Sequence, residues 1–528
     1  MDYWAKPGLD RQQAMLFYPT LDQSISDGHP VRLLDEILRV LDWSAWEEEY
    51  DGRRGQPPIP PWVMAGVILY GLTRRIRSSR QLEYACGHNL DFMWLAEGRT
   101  IDHDTLCKFR TKFQEPLKQL FKQIGRLAMR MGFIRLLEVA FDGTRVKANA
   151  SRYHTWTAAK VAEVLAELET QTGQLLGESE AADVADATVW GESQSSKLPP
   201  ELAGAKQRQE KLREVLKKLQ EADAARKTDG IDPRKNPAQL PQADTDSRVM
   251  PNKEGGYAPN YTPVVATDGF QGFIADCDVI SGPNEQNELP ASVDRVEGNF
   301  GRKPERVLAD AAFGTTANLA GMEQRRVDFY TPVESPQPQV GNPARRDDPR
   351  QPVAPENWPA LPRNDKKKLA KSCFVCDEAA DCYYCPMGRP MAYEETKKID
   401  RSSGSVKLRL YRCKQCVGCP LAAECLDPKG KHGRTVGRDG AERLRDLVAV
   451  KLQTETGRKT YNRRMHIAET PFAILKAILG VRQFLLRGLE KVRTEWSWVC
   501  TAYNMKKLIT AIARLRVPAA GVAVESGN

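Results

Sequence analysis

Three carboxylates lie at positions where acidic side chains could do chemistry. Asp142 ends the apolar run that begins at Leu136, and Asp310 ends a shorter run that begins at Arg306. An apolar run of this kind is typical of a strand buried on both faces, so each aspartate is expected at the exit of a buried strand. Asp-Gly is also a common turn signal, so Asp142 taken alone fits a simple turn equally well. Glu469, in a basic stretch near the C-terminus, is the third carboxylate.

Together these residues predict a metal site for phosphoryl transfer. Mg²⁺ prefers oxygen ligands and keeps several waters, so two or three carboxylates can hold a pair of ions. One ion would activate the attacking water or hydroxyl, and the other would stabilise the leaving oxygen. We therefore expect Asp142, Asp310 and Glu469 to be the catalytic residues and the ligands of two Mg²⁺ or Mn²⁺ ions.

The sequence around Glu469 predicts a helix that begins there. Pro471 is acceptable in a first helical turn, and the helix dipole favours a negative charge at that end. Lys476 is seven positions further on, about two turns, and so on the same face. A glutamate at a helix start is also often only a stabilising residue.

Two separated basic regions point to a polyanionic partner. The chain has a net charge of +9, residues 51–130 carry 14 basic and 7 acidic groups, and residues 456–528 carry 13 basic and 4 acidic groups. Nucleic acid is the leading candidate, although a solvated basic surface explains the same pattern. The first region reads as a small helical domain with a helix-turn-helix character. Phosphate contacts are expected there from Arg74, Arg75, Arg77 and Arg80.

Eight of the 12 cysteines fall between Cys373 and Cys425. The N-terminus shows no secretory signal, so the clustering indicates metal binding before disulfides. Repeated Cys-x2-Cys pairs suit a tetrahedral structural Zn²⁺ in an insertion without a core of its own. Eight thiolates could hold one ion or two. The favoured set is Cys385, Cys416, Cys419 and Cys425, with Cys373, Cys376, Cys382 and Cys413 as alternatives.

The chain is long enough for about three domains, and its apolar runs are too short to span a bilayer. We expect an intracellular α/β protein with an all-α N-terminal domain and two insertions. Residues 155–228 repeat apolar side chains at helical spacing and predict an inserted helical hairpin, with a structural or partner-contacting role. The expected parts are a helical DNA-binding domain at 1–130, a core split between 131–154 and 246–335, a helical arm at 155–245, a linker with the Cys-rich module at 336–450, and a catalytic helix region at 451–528.

The sequence resembles the DDE transposases of bacterial insertion sequences. The resemblance rests on FDGT at Asp142, on LADAAFG at Asp310 and on a Tyr-Arg-Glu-Lys signature. That signature reads Tyr461-x2-Arg464-x4-Glu469-x6-Lys476, with one residue more between arginine and glutamate than the usual pattern. Arg463 could therefore replace Arg464.

The resemblance implies an RNase H-like core, a mixed sheet flanked by helices, interrupted by the helical arm and a zinc-ribbon-like Cys-rich insertion. It also implies binding to terminal inverted repeats, phosphodiester hydrolysis and strand transfer by a homodimer on DNA, in the bacterial cytoplasm at the nucleoid. Tyr461, Arg464 and Lys476 would contact phosphates near the scissile bond. A transposase-derived DNA-binding regulator without catalysis and a stand-alone metal-dependent nuclease are the alternatives.

Overall fold

The structure is a computed structural model that describes residues 20–50, 57–190, 200–228, 230–252, 255–333, 341–401, 404–426 and 433–516. Within these ranges, no helix is both long and apolar enough to cross a membrane.

Helices and strands alternate along the chain in uneven groups. The helices are α1 (Pro30–Arg39), α2 (Ser44–Glu47), α3 (Pro61–Thr73), α4 (Ser79–His88), α5 (Leu90–Leu95), α6 (His103–Lys112), α7 (Gln114–Arg130), α8 (Ala158–Trp190), α9 (Pro200–Thr228), α10 (Leu289–Phe300), α11 (Thr316–Gln324), α12 (Ala422–Cys425), α13 (Glu442–Gln453), α14 (Glu455–Ala473) and α15 (Leu489–Arg516). The strands are β1 (Glu138–Gly143), β2 (Val146–Lys147), β3 (Thr155–Trp156), β4 (Leu240–Pro241), β5 (Arg248–Pro251), β6 (Tyr257–Asp268), β7 (Ile274–Ile280), β8 (Arg306–Leu308), β9 (Asp328–Tyr330), β10 (Val375–Asp377), β11 (Cys382–Tyr384), β12 (Pro390–Arg401), β13 (Gly404–Arg412) and β14 (Thr435–Asp439).

A mixed sheet forms the centre of the protein. Its strands follow the order β2-β6-β1-β8-β9, and β5 and β7 also pair with β6. β1 is antiparallel to β6 and parallel to β8, and β8 is parallel to β9. β6 and β7 are an antiparallel pair, and β8, α11 and β9 follow one another as a strand-helix-strand unit. The predicted α/β class is confirmed at this level.

The first core strand is shorter than its apolar run. β1 begins at Glu138, although the run begins at Leu136. Leu136 has a positive φ of 51°, which L-residues rarely adopt, and Leu137 is 41% exposed. The chain therefore turns into the sheet at these two leucines, and only the later part of the run is a buried strand.

The N-terminal helices pack directly on the central sheet. α3 is buried along almost its whole length because its sequence is apolar on all sides. α7 and α15 pack against each other, and α15 also lies on β7, so the helices and the sheet share one apolar core. Asp102 caps α6 by accepting a 2.9 Å hydrogen bond from the amide of Thr105.

α8 and α9 form the helical hairpin that the apolar spacing of residues 155–228 indicates. Val161, Leu165 and Leu168 of α8 lie in one apolar cluster with Leu212 and Leu219 of α9. The cluster is separate from the main core. The hairpin is therefore held by its own contacts, as an arm would be.

The Cys-rich segment folds as an antiparallel sheet in the order β10-β11-β12-β13-β14. It has an apolar cluster that includes Phe374, Tyr383, Met391 and Tyr411. The expectation that this insertion lacks a core of its own is therefore wrong. Its aromatic residues supply that core, so a bound metal is not needed as the only source of stability.

Candidate functional site

Two aspartates lie side by side at one edge of the central sheet. In the parallel pair of β1 and β8, Ala140 is opposite Leu308. Asp142 and Asp310 each follow two residues later, so both side chains leave the sheet at the same edge and on the same face as their predecessors. Both are partly buried. The sequence predicted each aspartate at a strand exit, and the register of the sheet makes them neighbours.

Glu469 is inside a helix, which corrects the expectation that a helix begins there. α14 starts at Glu455, and the hydroxyl of Thr454 caps it by accepting a 2.9 Å hydrogen bond from the amide of Gly457. Pro471 therefore lies within the helix, near its C-terminal end. The N-terminal helix dipole consequently does not act on Glu469, since that effect is confined to the first turn.

α14 is fixed to the sheet along its length. Ile467 and Ala468 are buried in one cluster with Ala140 and Leu308, the residues that precede the two aspartates by two positions. Glu469 comes next in the helix, and its side chain is exposed. The helix that contains Glu469 therefore packs against the two strands that lead to the aspartates.

Charged contacts anchor both ends of this helical segment. Arg463 Nη2 lies 2.8 Å from Glu138 Oε1 at the start of β1. Lys476 Nζ donates to Thr144 Oγ1 at 2.6 Å and to the Arg145 carbonyl at 3.0 Å, just beyond Asp142. Glu469 lies between Arg463 and Lys476 in the sequence, so these two contacts fix the position of its helical segment along β1.

A π-helical turn follows the end of α14. Residues Ile474–Ile478 form a π-helical turn that contains Lys476. A π turn adds a residue within a helix and is frequent at functional sites. Because of the extra residue, Lys476 is not simply two α-helical turns from Glu469 as the sequence implied. Its ammonium group instead reaches the turn that follows β1.

The carboxylates of the two aspartates are held by backbone amides. Asp142 Oδ1 accepts from the Gly143 amide and Asp310 Oδ1 from the Ala312 amide, each at 2.9 Å. Arg464 Nη1 lies 3.9 Å from Asp142 Oδ2. Burial raises the pKa of Tyr461, against the opposing effect of Arg464 nearby. Tyr461 and Arg464 therefore lie close to the aspartates, and a contact of either residue with the scissile phosphate stays a prediction.

The donor set suits a hard divalent cation, because the converging groups are carboxylate oxygens. Among the residues that the structure describes, however, no group of three or more His, Cys, Asp or Glu side chains is arranged to hold a metal. Strand register makes Asp142 and Asp310 neighbours, while Glu469 is on the helix α14.

Glu138 is a buried carboxylate behind the site. Its side chain is 2% exposed and is paired with Arg463 and, at 3.8 Å, with Arg306. Burial raises the pKa of Glu138, while the two arginines oppose that rise. The ion pair with Arg463 links the base of β1 to α14, so Glu138 positions the helix that carries Glu469.

The four arginines predicted to contact DNA have different surroundings. Arg75 donates to the carbonyls of Ala477 and Ile478 at the end of the π turn. Arg77 donates to the Gly480 carbonyl at 3.2 Å. Arg74 lies over the Tyr70 ring, and Arg80 lines the groove between α4 and α6. Arg75 and Arg77 thus join the N-terminal helices to the segment after α14, and a DNA contact by any of the four stays a prediction.

Arg77 also forms a buried ion pair that the sequence gave no reason to expect. Its Nη2 lies 2.7 Å from Glu495 Oε1, with side-chain exposures of 13% and 1%. Glu495 accepts further hydrogen bonds from the amides of Leu485 and Leu486. The partners are 418 residues apart in sequence, and no local pattern marks such a pair.

The cysteines divide into two groups in space. Five of them line a cavity of ≈ 20 Å³. These five are Cys385, Cys413, Cys416, Cys419 and Cys425. The hydrogen bond between Cys385 and Cys413 lowers the pKa of the Cys385 thiol and raises the pKa of the Cys413 thiol, and burial raises the pKa of Cys425 to about 12. The favoured four are therefore together, and Cys413 joins them.

The remaining cysteines of the segment lie elsewhere. Cys376 contacts Arg438 Nη1 at 2.6 Å, and Cys373 contacts the Pro362 carbonyl at 3.2 Å. Cys382 is opposite Asp377 in the β10–β11 pair, while Cys376 is opposite Tyr383. Cys376 and Cys382 therefore point to opposite faces of that sheet, which argues against a second site made by these three.

Comparison with known families identifies two regions of the chain. Residues 384–509 match the family model described as "Transposase DDE domain", and residues 19–112 match the one described as "Transposase domain (DUF772)". No curated protein matches the chain. The first region contains Glu469 and Lys476, and the second contains α1 to α6. Each match covers less than half of the chain, and both are to transposase family models, which confirms the resemblance to insertion-sequence DDE transposases at that level.

Proposed function

We propose that the protein is the DDE transposase of an insertion sequence, with an RNase H-like catalytic core. The observation that carries the proposal is the position of Asp142 and Asp310 at the ends of adjacent parallel strands, with α14, the helix that contains Glu469, packed against both strands. The two transposase-family matches support it.

In this proposal each group has a distinct task. Two Mg²⁺ or Mn²⁺ ions, when bound, activate the attacking oxygen and stabilise the leaving one. Asp142, Asp310 and Glu469 hold them. Arg464 and Lys476 orient the scissile phosphate, and Tyr461 lies beside it. The contacts that hold α14 against the sheet keep these three side chains aligned.

The DNA substrate fits the charge of the chain. The basic N-terminal and C-terminal regions would bind the terminal inverted repeats and the target, largely through phosphates. Arg74 and Arg80 are the better placed of the four N-terminal arginines for that contact, because Arg75 and Arg77 already bond to backbone carbonyls. Two element ends need two active sites, so we propose a homodimer on DNA, acting at the bacterial nucleoid.

The proposal is tested with labelled DNA that carries the element's own ends. Wild-type protein with Mg²⁺ or Mn²⁺ should nick these ends and join them to a target, and ends with scrambled repeats should be left intact. Cutting that ignores the end sequence and yields no joined product would favour a stand-alone nuclease. Binding to the ends without any cutting would favour a transposase-derived regulator.

We also propose a single structural Zn²⁺ in the Cys-rich module, held by four of the five cysteines around the small cavity. The cavity is about the size of one ion or water, and four-thiolate sites are closed structural sites.

Elemental analysis of the purified protein should give one zinc per chain. Cys416→Ser should remove most of it and lower the melting temperature, since it removes one ligand. Cys107→Ser, an exposed cysteine on α6, is the matched control and should keep both values. Two zinc ions per chain would contradict the single site, and full zinc content in Cys416→Ser would remove Cys416 from the favoured set of ligands.

A further inference from the structure

A two-stranded ribbon extends from the Cys-rich module. β11 pairs with β12 only as far as Ala392, and β14 pairs with β13 only as far as Leu408. The ladder between β12 and β13 continues to Arg401 and Gly404. In the part of the chain that the structure describes, the four residues of β13 before Leu408 therefore pair with β12 alone. At about 3.4 Å per residue, they make a ribbon roughly 14 Å long.

The β12 strand of this ribbon is open to solvent on both of its faces. Residues 392–399 are all exposed, whereas a strand with one face on a core alternates between buried and exposed residues. At the base of the ribbon, Met391 of β12 and Tyr411 of β13 are buried in the apolar cluster of the module. The ribbon is therefore anchored at one end and uncovered along the rest of β12.

The pairing register places basic side chains on one face of the ribbon. Lys398 is directly opposite Lys407, and two positions towards the base Thr396 is opposite Arg409. Opposite residues share a face with those two positions along. The Arg409 guanidinium also lies 4.7 Å from the ring centre of Tyr393, whose hydroxyl shares a 2.9 Å hydrogen bond with that of Thr396. We call these five residues the basic face.

Two of the three cations on the basic face have no acidic partner. Arg409 Nη2 lies 2.5 Å from Asp381 Oδ2. Lys398 and Lys407 form no ion pair with any residue whose side chain the structure describes. Like charges directly opposite each other destabilise a pair of strands. An anion bound beside Lys398 and Lys407 would relieve this repulsion, so the basic face is suited to a negatively charged partner.

The opposite face of the ribbon lacks this excess of positive charge. Lys397 is on that face, and its Nζ lies 3.0 Å from Glu395 Oε1. Leu408 is directly opposite Lys397, and Ile399 follows Lys397 on the same face. The two faces therefore differ in charge, and only the basic face complements a polyanion.

We propose that the basic face of the β12–β13 ribbon binds the phosphate backbone of duplex DNA. This inference rests on the proposed function and adds a contact outside the two basic regions of the chain. A two-stranded ribbon fits into the major groove of B-DNA. Lysine ammonium groups bind phosphate as point charges, and the hydroxyls of Thr396 and Tyr393 can donate to phosphate oxygens.

The ribbon would hold the duplex in a fixed position relative to the helices beside the module. Tyr383 of β11 donates through its hydroxyl to Glu442 of α13 at 2.8 Å, and α13 packs on α14. Phosphate contacts set the position of a protein on DNA without reading its sequence. The ribbon therefore serves to position the duplex rather than to recognise the element's ends.

The first test removes the two lysines that have no acidic partner. Lys398→Gln/Lys407→Gln should weaken binding to a labelled duplex on the order of tenfold and lower the slope of log affinity against log salt by about 2. Fluorescence anisotropy at several salt concentrations measures both values. The loss should be equal for the element's ends and for a scrambled duplex of the same length, because phosphate contacts carry no sequence information.

Lys366→Gln/Lys367→Gln is the matched control. It removes the same charge from an exposed turn elsewhere in the module and should keep the wild-type slope. An unchanged slope in Lys398→Gln/Lys407→Gln would overturn the inference, and so would an equal fall in both double variants. If wild-type protein binds no duplex at all, the proposed function itself fails. If wild type binds and cuts the ends while the ribbon variant binds equally well, only the ribbon contact is wrong.

A gain of charge tests which face of the ribbon is used. Thr396→Lys adds a cation to the basic face and should tighten duplex binding and raise the salt slope by about 1. Ile399→Lys adds the same charge to the opposite face and should change both values less. Both side chains are exposed, so neither change disturbs the core. Equal gains in the two variants would overturn the inference even if Lys398→Gln/Lys407→Gln were unstable.

Discussion

Asp310→Asn should reduce cleavage of the element's ends at least about a thousandfold while leaving their binding intact. The amide has nearly the shape of the carboxylate but lacks the charge that would hold a divalent cation. Such an ion supplies several kcal/mol of transition-state stabilisation, and about 4 kcal/mol corresponds to a thousandfold in rate. The Ala312 amide that donates to Asp310 Oδ1 can still donate to the oxygen of asparagine, so the turn should persist.

Single-turnover cleavage and a gel-shift titration on the same labelled DNA measure the two effects separately. Asp328→Asn is the matched control, because Asp328 lies at the start of the neighbouring strand β9 and pairs with Lys451 away from the site edge. It should cleave at nearly the wild-type rate. Cleavage by Asp310→Asn within tenfold of wild type would remove Asp310 from the catalytic set.

Glu495→Ala should destabilise the protein by about 3–5 kcal/mol, because it leaves a buried charge without its partner. Arg77 would keep a guanidinium group in a site where the glutamate is only 1% exposed. The amides of Leu485 and Leu486 would also lose the acceptor that they share. Chemical denaturation followed by tryptophan fluorescence should therefore show a clear fall in the midpoint.

Glu490→Ala tests the specificity of this loss on the same helix. Glu490 pairs with Arg493 at the surface, with side-chain exposures of 68% and 38%, and exposed pairs contribute about 0–1 kcal/mol. It should change the midpoint little. If the two variants unfold at the same denaturant concentration, the Arg77–Glu495 pair is not a main contact between the N-terminal helices and α15.

Local sequence patterns were enough to predict the residues at the sheet edge. An apolar run followed by an acidic residue identified β1 with Asp142 and β8 with Asp310. This was possible because a buried strand needs consecutive apolar side chains, which the sequence shows directly. Helical spacing likewise predicted the hairpin of α8 and α9. Such features depend only on neighbours in the chain.

Features that depend on distant contacts could not be predicted in the same way. Pro471 suggested a helix start, yet burial of Ile467 and Ala468 on the sheet extends α14 through it. The sequence predicted Arg75 and Arg77 as DNA contacts, because their bonds to the segment after α14 depend on residues far away in the chain.

The bonds from Arg75 and Arg77 to the segment after α14 have a consequence for engineering new targets. Exchanging the region before Arg130 for that of a related element would replace the donors Arg75 and Arg77. The carbonyls of Ala477 and Gly480 and the carboxylate of Glu495 would stay in positions that fit the original arginines. A working chimera should therefore need residues 477–498 from the same donor. The part of the chain expected to recognise DNA and the part expected to cut it are inherited as one matched pair.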